Sequence, residues 1–242
     1  MDEKPWDDGG EEGPSLEAVE RDYLGIFGAP SVVDEEVVEE RPTIDALSDP
    51  IGVEEISRVL GNMRSDAVGP DGIKPSQLKR IAPIRLVILF NFMVFFGIVP
   101  DHLKKNRTIL IPKGGDLNEV GNWLPITISS AVIRLLPKVL AGRFTQMLHL
   151  HKNQRGFRRV DGVVLNTLTL QALVKTKRTN LQPYHLLALD LRKAFDTVSH
   201  DSVARALRRF GVGKMLTSFI LEGYNGSTTT ITCKGGQGTV DI

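Results

Sequence analysis

Apolar positions along this chain recur with helical spacing over long stretches, alternate or run together over short ones, and in the first fifty residues gather in only one short patch, Tyr23-Leu24-Gly25-Ile26-Phe27. Val53, Ile56, Val59 and Leu60 mark one face of a helix expected over residues 53–63, behind Asp49-Pro50 and ending near Gly61-Asn62. A short helix over 76–81 and an apolar helix over 87–96 follow on either side of Pro83. Residues 106–113 are β-branched and basic at both ends, and Gly114-Gly115-Asp116 after them predicts a hairpin returning through 123–128. Pro125 cannot donate to a ladder, so the return strand belongs at a sheet edge. A helix over 131–150, capped by Ser129 or Ser130, carries the stripe Ile133, Leu136, Leu140, Phe144, Met147 and Leu148, with Arg134, Lys138 and Arg143 mostly off it. Pro137 inside it should kink it or cost about 3 kcal/mol. After Asp161, a second amphipathic helix runs to 178 on Val164, Leu168, Leu170, Ala172 and Leu173.

Residues 186–200 are the stretch around which the rest is arranged. Leu186, Leu187, Ala188 and Leu189 form an apolar run that ends in Asp190, which predicts a buried strand delivering a carboxylate to the sheet's rim. A hard cation could bind there. Arg192-Lys193-Ala194-Phe195-Asp196 turns the corner, and Ser199 or Asp201 caps a helix to Phe210 with Gly211 in the C′ position. The last residues, from Gly226, read as a strand and a turn. Helices and short strands without repetition give an α+β class.

Charge changes this picture. Of the 29 acids, 18 fall in residues 1–55 against 3 of the 30 bases, which leaves the remainder at about +16 behind a near-neutral total. Residues 1–49 therefore read as an acidic, disordered leader, and the basic body favours a polyanionic partner over a merely solvated surface. One cysteine, Cys233, excludes a disulfide framework and a cysteine zinc site, so a reducing compartment is expected. The longest apolar segment, residues 86–99, is interrupted by Asn91 and is shorter than a membrane span. No secretory signal is visible.

Candidate chemistry is weak piece by piece. Val68-Gly69-Pro70-Asp71-Gly72-Ile73 is a turn-rich loop. Arg107 and Lys113 on the hairpin suit a triphosphate or a phosphate backbone, yet taken alone an ordinary surface hairpin is the better explanation. Gln154-Arg155-Gly156-Phe157 is a basic loop with one aromatic, able to follow a backbone and stack a base. Asp190 alone fits a cap or turn, and Phe195 alone fits a core.

Taken together, Ala67 to Ile73, Ile109-Leu110-Ile111-Pro112-Lys113-Gly114-Gly115, Asn122-Trp123-Leu124-Pro125-Ile126-Thr127-Ile128, Gln154 to Phe157 and Leu189 to His200 stand in the order and spacing of one family. The chain resembles the reverse transcriptase domain of non-long-terminal-repeat retrotransposons, closest to the site-specific class that inserts in ribosomal RNA genes. The resemblance covers about residues 50 to 242. It implies an incomplete right-hand polymerase, with helical and hairpin fingers over 50–180 and a partial palm over 181–242, truncated before the Asp-Asp motif.

It further implies template-directed, Mg²⁺-dependent deoxynucleotidyl transfer. Two Mg²⁺ ions serve the complete family site, which takes an RNA template, a DNA primer and deoxynucleoside triphosphates, inside the cell in nucleus or cytoplasm. Asp190 matches the first metal-binding aspartate, with the Leu191 carbonyl as a further ligand. Phe195 matches the sugar gate and Lys113 the triphosphate-binding base. Arg107, Gln154, Arg155, Gly156 and Phe157 match template contacts. Asp196 is expected to be structural, capping or pairing with Arg192 or Lys193. Three departures count against activity of this chain alone. There is no Asp-Asp pair beyond Asp7-Asp8 and thus no second catalytic motif, Leu124 stands where the family has arginine, and Pro137 falls within a helix. The expectation is a fragment of an RNA-directed DNA polymerase, inactive by itself. The alternative is a non-catalytic RNA- or DNA-binding remnant of such an element.

Overall fold

The structure is a computed structural model that describes residues 13–28, 41–63, 67–191, 193–234 and 236–242. Residues 1–12 and 29–40 of the acidic leader, with Asp7-Asp8, and Arg192 lie outside the described residues. Eight α-helices and four strands are described, besides three short 3-10 turns: α1 (Leu16–Phe27), α2 (Val53–Asn62), α3 (Pro75–Leu78), α4 (Pro83–Phe96), β1 (Lys105–Pro112), β2 (Trp123–Ser129), α5 (Leu135–Met147), α6 (Gly162–Thr179), α7 (His200–Arg209), α8 (Lys214–Glu222), β3 (Thr228–Cys233) and β4 (Gly236–Asp241). This is an α+β arrangement.

Two apolar clusters hold it. The larger joins α2, α4, α5 and α8 around Phe90, Ile56, Leu135, Leu136 and Leu216, all nearly or fully withdrawn from water. Asn91, the polar break in α4, faces this layer. Its side-chain oxygen accepts from the Ile51 amide at 2.7 Å, and its amide donates to the Ile51 carbonyl at 3.0 Å. One residue thus satisfies both backbone groups of Ile51 where the chain enters α2. Gly97 ends α4 at φ 65°, a left-handed position glycine adopts without strain.

The strand order is β2-β1-β3-β4. β1 pairs antiparallel with β2 from Asn106↔Ser129 to Pro112↔Trp123, the expected hairpin with Pro125 on the edge. β3 runs parallel to β1, and β4 closes the other edge antiparallel to β3. The Thr108 hydroxyl meets those of Thr127 and Thr229 at 2.8 Å each, so a row of hydroxyls ties three strands together. Against the sheet lies the second cluster: Val19 and Tyr23 of α1 with Leu110, Trp123, Ile231 and Cys233.

Three elements, α1, α5 and α6, differ from expectation. Within the leader expected to be disordered, residues 16–27 form α1, because Val19 and Tyr23, four apart, reach the sheet together. Ser15 caps it by accepting from the Ala18 amide. Pro137 does not kink its helix. α5 begins at Leu135, so Pro137 sits in the first turn, where an amide has no intrahelical partner in any case. Ser130 caps the turn before α5 instead, accepting from the Val132 amide. Arg143, expected on the polar side of α5, is buried. α6 forms with Asp161 as its cap, but Val164, Leu168, Leu170, Ala172 and Leu173 are all exposed and the helix has no buried residue.

Candidate nucleic-acid interface

The run from Leu186 to Leu191 is not a strand. It follows α6 outside the sheet, with Leu187 and Leu189 about 80 % exposed and Asp190 exposed between its neighbours. The place beside β1 is taken by β3, in register from Lys105↔Thr228 to Thr108↔Ile231. β3 alternates half-buried and buried positions, which suits a sheet with one covered face. Leucines on both sides of a strand need cover on both faces, and the described elements provide none.

The corner after Asp190 is nonetheless built. Lys193 takes a left-handed φ of 51°, and its carbonyl accepts from the Thr197 amide and hydroxyl at 3.1 and 3.0 Å. Its ammonium reaches both carboxylate oxygens of Asp22 on α1, at 2.8 and 2.9 Å. Lys193 therefore pairs with Asp22 and not with Asp196. Ser199 caps α7 by accepting from the Ser202 amide, and Gly211 follows α7 at φ 77°, as expected. Phe195 is exposed, with its ring 6.0 Å from that of Phe157 at an interplanar angle of 84°. Edge-to-face pairing of this kind contributes about 0.5–1.5 kcal/mol beyond area burial. Two motifs distant in sequence meet at these two rings.

Phe157 itself has φ 57°, and Gln154 closes the loop by donating to the Gly156 carbonyl at 3.4 Å. Arg158 donates back to the Gln154 carbonyl. Arg155 is half-buried, and its Cβ lies where a side chain on Gly162 would need to go. Lys113 stands exposed at the end of β1. Its backbone amide donates to the Asn122 carbonyl at 2.8 Å, so the base of the hairpin loop is held while the ammonium stays in solvent.

Arg107 does something the strand pattern did not indicate. Its Nε donates to the Val68 carbonyl at 2.9 Å, which braces the loop before Gly69. Arg134 donates to the Ala67 carbonyl, and Ser130 donates to the Asp71 carboxylate. Gly69 passes so close to the backbone of Ser129 and Ser130 that a Cβ would lie 2.7 Å from both. Gly72 turns at φ 70°, with its amide donating to the Gly69 carbonyl. The loop is thus locked to β1 and to the start of the α5 layer.

Arg143 has the largest set of partners in the layer. It grips Glu55 in a fork, Nε to Oε1 at 2.8 Å and Nη2 to Oε2 at 2.7 Å, and donates to the carbonyls of Leu47, Asp49 and Pro50. These bonds hold the Glu55 carboxyl below its ordinary range and raise Arg143 above its own. Spacing alone could not find this role, because the partners come from a turn some ninety residues away.

Among the described residues no three His, Cys, Asp or Glu side chains stand close enough to hold a metal ion. Asp190, one exposed carboxylate on an unpaired segment, does not by itself fit a pair of Mg²⁺ ions, each of which demands near-octahedral oxygen ligation.

Comparison with known proteins agrees with the motif order. The family described as "Reverse transcriptase (RNA-dependent DNA polymerase)" matches residues 111–240, a span that includes Lys113, Gln154 to Phe157, Asp190 and Phe195. The chain is 39% identical over 193 residues to the "Retrovirus-related Pol polyprotein from type-1 retrotransposable element R2" of Popillia japonica, covering 80% of this chain and 27% of that protein. It is 29% identical to the protein of the same name from Bradysia coprophila, over 80% of this chain and 22% of that one. The "type-2 retrotransposable element R2DM" polyprotein of Drosophila melanogaster is 28% identical over 71% of this chain and 16% of its own length. The chain spans about a quarter or less of the relatives it matches. With more than half of its residues inside the family match, the chain belongs to the reverse transcriptase family.

Proposed function

We propose that this chain is part of a retrotransposon RNA-directed DNA polymerase, with residues 50–180 as fingers and 181–242 as the first part of the palm of an incomplete right hand. Its partners in this reading are an RNA template, a DNA primer, deoxynucleoside triphosphates and the remaining part of the polymerase, in nucleus or cytoplasm. The contact between Phe157 and Phe195 carries the reading. It joins the basic loop, which would follow the template, to the corner, which would lie beside the incoming sugar. Lys113 would neutralise triphosphate charge and Gln154, Arg155 and Gly156 would hold the template backbone. Arg107 would act indirectly, since its Nε positions the Gly69-Pro70-Asp71 loop.

Reverse transcriptases generally use divalent metal ions, which would neutralise the developing charge on the transferred phosphoryl group. In this chain Asp190 would contribute one carboxylate and Leu191 one carbonyl, and a single carboxylate is insufficient for the pair. The chain alone therefore binds nucleic acid without extending it. A primer-extension assay with Mg²⁺ on a primed RNA template tests this: no product is expected, whereas template-dependent extension by the purified chain would refute it. Salt-dependent RNA binding without extension is the accompanying positive result.

A further inference from the structure

A cavity of about 220 Å³ opens between α2 and α5, with neither Phe157 nor Phe195 in its lining. Its lining includes the Arg143–Glu55 fork, already neutral within itself. Arg143 donates the rest of its hydrogen bonds to the carbonyls of Leu47, Asp49 and Pro50, so it holds the wall of the cavity and offers little to a ligand. Around this wall stand Arg58 from α2, Lys138 from α5 and Arg159 from the basic loop, with the side-chain amides of Asn62 and Gln146. All three cations are exposed, and none forms an ion pair with a described acid. The lining thus carries four cations and one carboxylate. It contains no aromatic residue, so it offers nothing for a base to stack on.

We infer that this groove is a phosphate-binding site for the sugar-phosphate backbone of a single RNA strand, held by Arg58, Lys138 and Arg159 without base readout. Arg159 follows directly on Phe157 and Arg158, so a strand whose base stacks on Phe157 can carry its backbone on to α2 and α5. Guanidinium groups accept phosphate in a bidentate fork, and the lysine supplies a point charge. The inference deepens the nucleic-acid-binding reading above and depends on it.

The test is binding of a fluorescent, unstructured 20-nucleotide RNA to the full chain over a range of salt concentrations. The chain carrying Arg58→Gln, Lys138→Gln and Arg159→Gln is compared with one carrying Lys79→Gln, Lys175→Gln and Lys214→Gln, which loses the same charge elsewhere. All six side chains are exposed, and far-ultraviolet circular dichroism checks that both variants fold. Each lost phosphate contact should lower the slope of log K against log salt by about 0.7, which is roughly fivefold in affinity at 0.1 M salt. The first variant should therefore lose about 2 in slope and on the order of a hundredfold in affinity, the second much less. A loss below about 1 in slope, or an equal loss in both variants, overturns the groove as a backbone site. If inorganic phosphate fills the groove while RNA binding is unchanged in the first variant, the site takes free anions and the proposal falls. If the unaltered chain does not bind the RNA at all, the failure lies instead with the function proposed above.

Discussion

Arg143 is 7 % exposed and makes five hydrogen bonds, two of them to Glu55. Replacing it with alanine would leave three carbonyls without that donor and the Glu55 carboxylate with the Gly52 amide, at 3.0 Å, in place of the fork. Breaking a fully buried ion pair costs about 3–5 kcal/mol, and Glu55 still reaches solvent, so Arg143→Ala should lower stability by about 2–3 kcal/mol in urea unfolding. The pH dependence follows from the same pair. Arg143 holds the folded-state Glu55 carboxyl below its ordinary value of 4.5, so the stabilisation is fully present above that pH and is lost as pH falls through the folded-state value. The stability difference between the unaltered chain and Glu55→Gln should therefore shrink over the acidic range below the ordinary value of 4.5. A difference that stays constant across that range would show that the pair is not coupled to folding.

At the level of elements, α1 stands out, because an acidic stretch forms a helix only where the sheet offers it an apolar seat. Val19 is fully buried there beside Cys233, whose thiol burial pushes up to about 11. Such a thiol is inert near neutral pH. Val19→Asp would place a charge in that cluster and displace α1, since an unpaired buried charge costs several kcal/mol. Cys233 should then react with a thiol reagent at least about tenfold faster. An unchanged rate would mean that α1 does not protect the sheet. Close approach in the same place appears at Gly238, where a Cβ would lie 2.4 Å from the Glu20 carboxylate and 2.7 Å from Leu16.

Across the whole molecule, the two clusters leave the segment from α6 to Leu191 without cover. Leu181, Leu186, Leu187, Leu189 and Leu191 are between 68% and 92% exposed. Residues 182–191 belong to no helix or strand. Limited digestion with thermolysin should therefore cut first at these leucines, while β1 and α4 stay intact. A first cut elsewhere would show that this segment is protected in solution. These exposed leucines flank Asp190, inside the span that the family match includes.

The extent of local order could be read from the residues alone. The hairpin of β1 and β2, α2, α4, the Asp161 and Ser199 caps and Gly211 all followed from short-range signals, because spacing, caps and turn chemistry act within a few residues. The family too was legible, since its motifs are short runs in a fixed order. Long-range competition was not. Leu186 to Leu191 has the composition of a buried strand, but a strand needs a neighbour, and β3 holds the place beside β1 through its own alternation and its hydroxyl row with Thr108. Pro137 looked like a break until the start of α5 placed it in a first turn. Arg143 looked like a solvated charge until the carbonyls of Leu47, Asp49 and Pro50 came within its reach. In each case the local preference was real, and the outcome depended on which distant group arrived to satisfy or displace it.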